Sequence, residues 1–257
     1  MMSDYDNFSF LDIEVSNKQQ RRLFDIEDRQ NLSLKSKERV RDHGEIFTPQ
    51  WMVELMLNQP EVQEDISSLH TTVLEPAAGE GVFLVEALKR KLSQVNDMAD
   101  GKYLTSWRRN MLWALMSIYG IEFLDDNLVI ARDRILEAFL IHYEETSGQQ
   151  LGIKTKLYKT AKYIVTTNVI QGDALSRTNK FGLPLVFSEW QNSTESVASV
   201  KRTLFTLDDR QYDVLEYLKN FGGGNVNLQN QKSEHNQRLE FKEVSLEDVY
   251  KELVLWN

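Results

Sequence analysis

The sequence predicts an α/β protein built on a mainly parallel sheet, and three observations carry that prediction. Short apolar or β-branched runs alternate three times with longer amphipathic segments. A glycine turn, LEPAAGEGVFL (Leu74 to Leu84), joins the first such run directly to a helical one. Acids close two of the runs, Glu75 and Glu122, at the carboxyl ends of strands where open parallel sheets bind their ligands.

The elements follow in order. Residues 1–40 mix an acidic start with the charged, Gln-rich SNKQQRRLFDIEDRQNLSLKSKERV, where Leu23, Ile26, Leu32 and Leu34 recur at loosely helical spacing, so a helical arm is predicted. TPQWMVELMLN opens a helix with Thr48 as N-cap, Pro49 at the first helical position, and Trp51, Leu55 and Met56 on one face. TTVLEP is β-branched, apolar and stopped by proline, which predicts a buried strand at Thr71–Pro76. VFLVEALKRKL sets Phe83, Leu84, Ala87, Leu88 and Leu92 at helical spacing, completing the start of a βαβ unit. WRRNMLWALMSIYG is a second amphipathic helix whose Trp107, Met111, Leu115 and Ile118 stripe is explained by core packing, with Gly120 expected to end it.

GIEFL forms the second strand, closing on Glu122, and DDNLVIARDRILEAFLIHY the third helix, with Asp125 or Asp126 near its positive end. After the loop SGQQLG, the segment KTKLYKTAKYIVTTNVIQGDAL runs from helix into a third strand near Asn168–Ile170, then a turn at Gly172–Asp173. LPLVFSEW predicts a strand at Leu183–Trp190. QNSTESVAS and GGGNVNLQNQKSEHNQ are polar, rich in Gly, Asn and Gln, and predict mobile segments. The predicted organisation is therefore an arm over 1–40, a ligand-binding α/β domain over 41–190, and a polar, partly flexible C-terminal segment over 191–257.

Composition narrows the function. At 257 residues and 41% apolar content the chain can bury a core. No run approaches the roughly eighteen apolar residues of a membrane span. The acidic MMSDYDNFSFLDIEVSN lacks the basic-then-apolar order of a secretory signal, so a cytoplasmic location is expected. With no cysteine there is no disulfide, thiolate zinc site or cysteine nucleophile. His43, His70, His142 and His235 are scattered without metal-ligand spacing. A net charge of −9 argues against autonomous DNA binding and leaves room for a local basic face or a partner that carries one.

The glycine turn is not a phosphate loop, because G-x-x-x-x-G-K-[ST] is absent. Gly79 and Gly81 fill two places of a dinucleotide fingerprint, but Leu84 stands where the third glycine would allow close helix–strand packing. Glu75 at the strand end suits a cationic or zwitterionic ligand better than a pyrophosphate. Glu122 ends the next strand, where such folds bind ribose hydroxyls, and lies 41 residues beyond Gly81 because the Trp107–Ile118 helix intervenes.

Together these segments resemble gamma-class, adenine-specific DNA methyltransferases of restriction–modification systems. HGEIFTP (His43–Pro49) is similar to the family's upstream segment, which implies Phe47, Thr48 and Pro49 at the methionine end of S-adenosyl-L-methionine. LEPAAGEGVFL matches [DE]-P-A-x-G-x-G-x-F-L at Glu75, Pro76, Ala77, Gly79, Gly81, Phe83 and Leu84. YGIEFLDDNLVIAR looks like the second-strand segment, which implies Glu122 on the ribose and Phe123 or Leu124 on the adenine ring. NVIQGDAL is similar to the third-strand segment, which implies Asp173 near the adenine amino group. The likeness covers roughly residues 40–190 and implies part of a Rossmann-like methyltransferase sheet preceded by the helical arm.

The family's catalytic loop, [DNS]-P-P-[YFW], accepts hydrogen bonds from the target amino group and stacks on a flipped base. The four prolines here (Pro49, Pro60, Pro76 and Pro184) are never adjacent, and none follows Asn, Asp or Ser. The resemblance therefore implies an N-terminal, cofactor-binding half without catalytic residues of its own. A partner chain is expected to supply the loop and the target-recognition surface, with double-stranded DNA bound through the complex. A missing fourth strand is expected to leave Val73–Glu75 as an open edge. The alternatives are a non-catalytic regulatory or interaction protein that keeps the pocket, a truncated remnant, and, more distantly, a dinucleotide-dependent oxidoreductase.

Overall fold

The computed structural model describes residues 48–98, 104–193, 196–207, 226–227, 238–251 and 253–254, all within the unit Thr48–Asn257. The predicted arm and Phe47 lie outside the described residues. The first helix, α1, spans Gln50–Leu57. Its N-cap is Pro49 rather than Thr48, because the extended Pro49 already offers its carbonyl to Met52 and Val53 (2.9 and 3.2 Å). Val53 and Leu57 face the core, whereas Trp51, Met52, Leu55 and Met56 form an exposed stripe. A helix unmarked by any apolar period follows, α2 at Pro60–Ser67, started by proline at its first position and burying only Ile66.

Three strands make the central sheet: β1 at Val73–Glu75, β2 at Ile118–Glu122 and β3 at Val169–Gln171. They pair in parallel in the order β1-β2-β3, with Glu75 beside Gly120 and Glu122 beside Gln171. The mixed α/β class with a parallel sheet is as the sequence predicts. Helices α3 (Val82–Met98) and α4 (Leu104–Met116) connect β1 to β2, and α5 (Asp125–Ser147) and α6 (Lys156–Asn168) connect β2 to β3. Among the described residues no other strand pairs with β1, and Leu74 is 45% exposed.

Gly120 does not end α4. The helix stops at Met116, and Gly120 sits inside β2, all of whose residues are buried. Its role is packing: a Cβ there would stand 2.7 Å from Leu84 Cδ1 and 3.2 Å from Ala78 Cβ. Residues 118, 120 and 122 thus face the main core with Leu84, Leu88, Met111 and Val169. Tyr119 and Ile121 face the other way, onto Leu185 and Phe187.

That second face is covered by an antiparallel sheet. Strand β4, Val186–Asn192, pairs with β5, Ser199–Thr206. On its other side β5 pairs with β7 (Arg238–Glu240) and β8 (Val244–Ser245). A separate two-residue pair joins β6, Val226–Asn227, to β9, Leu253–Val254. Residues 186–192, 199–206, 238–240 and 244–245 make this antiparallel layer, and its first strand begins at Val186 rather than at Leu183.

Polar side chains fasten the two sheets. Asn168, 1% exposed, donates to the Met116 and Ile118 carbonyls (3.0 and 3.2 Å) and accepts from Trp190 Nε1 (2.9 Å). The Tyr119 hydroxyl donates to the Ser188 carbonyl at 2.8 Å. Arg202 donates to Ser188 Oγ (2.9 Å) and Tyr163 Oη (2.5 Å), and its guanidinium lies 5.2–5.6 Å from the rings of Trp190, Tyr163 and Phe241. The contacts of Asn168, Tyr119 and Tyr163 cross between layers, and each hydrogen bond adds about 1 kcal/mol.

Candidate functional site

The carboxyl ends of β1, β2 and β3 converge on the glycine turn. Pro76 stops β1, and the chain reverses through Gly79 (φ +54°) and Gly81 (φ +80°), left-handed conformations that favour glycine. Two close approaches explain the reversal. The Ala78 amide donates to the Ile121 carbonyl at 2.9 Å, pinning the turn to the end of β2. A Cβ on Gly81 would stand 3.0 Å from both Cα and Cβ of Ala131, so glycine lets α5 pack against the turn. A Cβ on Gly79 would meet nothing within 4 Å, so the backbone at this position borders open space.

Glu122 ties the turn to the second strand. It is 6% exposed; Oε2 accepts from the Gly79 amide at 2.7 Å, and Oε1 from the Leu124 amide at 2.9 Å. Between the two glycines, Glu80 is turned inward and pairs with Arg134 of α5 at 2.7 Å.

Glu75 is half-buried, and its Oε1 accepts from the Ala77 amide at 3.1 Å. Burial pushes its carboxyl pKa above the ordinary range, and the Ala77 amide opposes that shift. Pro76 and Ala77 are exposed at the lip of the turn, Phe83 is half-buried against the main core, and Phe123 is 56% exposed after β2. Thr48 and Pro49 lie exposed at the start of α1.

Asp173 follows β3 and closes a local turn. Its Oδ1 accepts from the Leu175 amide at 2.8 Å, and this bond, with those from Ser176, holds its carboxyl below the usual range. Its backbone pairs with Thr178 in both directions. The structure thus brings Gly79 and Glu122 into direct contact and places Glu75, Phe123 and Asp173 on the three adjacent strand ends. Gln171, unmarked in the sequence, also belongs here: its amide donates to the Phe123 carbonyl at 2.9 Å and accepts from the Lys180 amide at 3.1 Å. An amide side chain in an apolar strand carries no spacing signal, and only the neighbouring Gly172–Asp173 turn points to it.

Among the described residues no three His, Asp or Glu side chains are grouped to hold a metal ion, and no helix is long and apolar enough to cross a membrane. The chain matches no family model, no curated protein and no solved structure.

Proposed function

We propose that this chain is the S-adenosylmethionine-binding part of an adenine-specific DNA methyltransferase of a restriction–modification system, working with a partner chain that carries the catalytic loop and the target-recognition surface. The observation that carries the reading is the buried Glu122 carboxylate at the end of β2, hydrogen-bonded to the Gly79 amide of the turn that ends β1. In a Rossmann-like site this is where a nucleoside's ribose meets acid and glycine together. The residues present suit such a ligand. Glu122 sets a carboxylate at the end of β2, Gly79 borders open space, and exposed Phe123 offers a ring face to adenine. The half-buried Glu75 carboxylate favours a nearby cation, which lowers its raised pKa and rewards a ligand bearing ammonium and sulfonium charge.

When bound, S-adenosylmethionine would supply an electrophilic methyl group; Glu122 and Phe123 would hold its nucleoside half and Glu75 its cationic end. They include no group placed to accept the target amine's protons. The edge of β1, unpaired among the described residues and with Leu74 exposed, supports a partner that completes the sheet, and a net charge of −9 supports DNA contact through that partner.

Calorimetry tests the cofactor half of the reading. Adenosylmethionine and adenosylhomocysteine should bind more tightly than nicotinamide dinucleotides, and Glu122→Ala should weaken them by about 1.5–3 kcal/mol, the range for hydrogen bonds to a charged group. Equal binding by wild type and Glu122→Ala removes Glu122 from the site. Transfer of labelled methyl to duplex DNA tests the other half: no activity is expected from this chain alone and activity once a chain bearing the loop is added. Transfer by this chain alone overturns the split arrangement. Cofactor binding with no activity beside any candidate partner points instead to a regulatory protein that retains the pocket.

A further inference from the structure

We infer that Gln171 is a positioning residue that holds the loop Asn179–Leu183 against the end of β2, making Phe181 a second aromatic wall opposite Phe123 for the base of a bound nucleoside. The inference rests on the nucleoside-site reading above and names the part of the site that recognises the base.

Gln171 is the last residue of β3, so its side chain leaves the sheet at the same end as Glu122, its neighbour in register. The two ends of its amide serve two different segments. Nε2 donates to the Phe123 carbonyl at 2.9 Å, and Oε1 accepts from the Lys180 amide at 3.1 Å. Backbone just after β2 and backbone in the distant loop are thereby fixed across one planar group. A second link runs parallel to it: Lys180 Nζ reaches Asp125 Oδ2 at 3.1 Å, and Asp125 is the first residue of α5.

The loop is shaped from within. Asn179 Oδ1 accepts from the Phe181 and Leu183 amides (2.9 and 3.1 Å), while its backbone pairs with Leu183 and Gly182. Gly182 adopts φ +75°, a conformation open to glycine at little cost. Internal bonds set the loop's form, and Gln171 with Lys180 sets its place. What the loop presents is a large ring: Phe181 is 64% exposed with Lys180 Nζ 5.9 Å from its centroid, and Phe123, linked to the loop through Gln171, is 56% exposed. Two exposed aromatics joined through one bridging amide suit a flat heterocycle, which stacks on ring faces without needing a particular hydrogen-bond code.

The test uses the full chain and three ligands: adenosylhomocysteine, adenosine and homocysteine. Gln171→Ala and Phe181→Ala should each weaken adenosylhomocysteine and adenosine by the same factor, about tenfold for one interaction of ordinary strength, and leave homocysteine unchanged. Because Gln171 acts through Phe181, the double variant should lose little more than either single one. Hydrogen exchange without ligand adds a separate readout: Gln171→Ala should speed exchange at the Lys180 amide and leave the β2 amides protected. Unchanged adenosine binding in both variants, with the wild type binding normally, overturns the second wall and leaves the cofactor site standing. A wild type that binds neither adenosine nor adenosylhomocysteine overturns the site itself and this wall with it.

Discussion

The parallel sheet has two outer strands of three residues each, and they are finished in opposite ways. At β3 the edge meets side chains: Arg132 donates to the Val169 and Thr166 carbonyls (2.8 and 2.9 Å), and Asn168 binds Trp190 of the second sheet. At β1 the Val73 amide donates to the Ser117 carbonyl at 2.8 Å on the side of β2, and the outer edge has no strand among the described residues. Leu74 and Ile121 point to the same face of the sheet, yet Leu74 is 45% exposed and Ile121 2%. An outer strand thus exposes a side chain that the central β2 buries. Buried polar groups serve both sides, each finding its partner within the chain: Asn168 beside β3, and Lys91 on the segment that leads into β1.

The largest expected effect lies on the finished side. Asn168→Ala leaves two carbonyls and the Trp190 N–H without their partner, and should cost about 4 kcal/mol at about 1–3 for each group left buried and unpaired. Denaturant melts measure it; a loss under about 1 kcal/mol would mean that the two sheets are not held together there. Next comes the matched pair. Ile121→Ala should cost about 3 kcal/mol and Leu74→Ala under about 1, and equal costs would show Leu74 to be covered in solution.

A titration sharpens the contrast at the unfinished side. Lys91 has no exposed surface, and its ammonium donates to the Ser68 and Thr71 carbonyls (2.6 and 2.8 Å), bracing the segment that leads into β1. Burial lowers its pKa from 10.5 to about 8, with Asp65 opposing. Between those values the unfolded chain binds one proton more than the folded one, so stability from this group rises with pH across that window and is flat below it. Lys91→Met should abolish the rise, and melts taken below pH 8 and near 10.5 will show wild type gaining on the variant. A constant difference would place Lys91 in contact with water. The smallest effect on stability, within about 0.5 kcal/mol, is expected for Leu74→Lys. The same change should abolish co-purification with a chain that completes the sheet, since charge on an edge strand opposes strand addition.

What could be read in the sequence follows the same division. The strand at Val73–Glu75, the glycine turn and the acid at Glu122 are local patterns, and their contact follows once β1 and β2 are known to be parallel neighbours. Gly120 was a misleading stop signal: its reason is a Leu84 methyl 36 residues away in the chain, and packing of that kind leaves no mark beside the glycine. The helix Pro60–Ser67 escaped because PEVQEDIS turns only Val62 and Ile66 to the core, a single i,i+4 pair and too short a period to stand out. The β4–β5 pairing escaped because polar QNSTESVAS carries the end of β4 and the start of β5, while the ordering partners of VKRTLFT lie on other elements: Tyr163 and Trp190 around Arg202, and Leu239 opposite Leu204. At the site, Gln171 was invisible because its value comes from bridging Phe123 and Lys180, which only the fold brings together.

The seat of α5 against the glycine turn has a consequence for how this sequence can drift. Gly81 and Ala131 approach so closely that a methyl at 81 would meet the Ala131 backbone, and a branched residue at 131 would press on the turn from the other side. Two positions fifty residues apart are therefore inherited as one constraint. Any descendant that keeps the turn should carry glycine at 81 together with a small residue at 131, and one that loses either should be found to have lost the other.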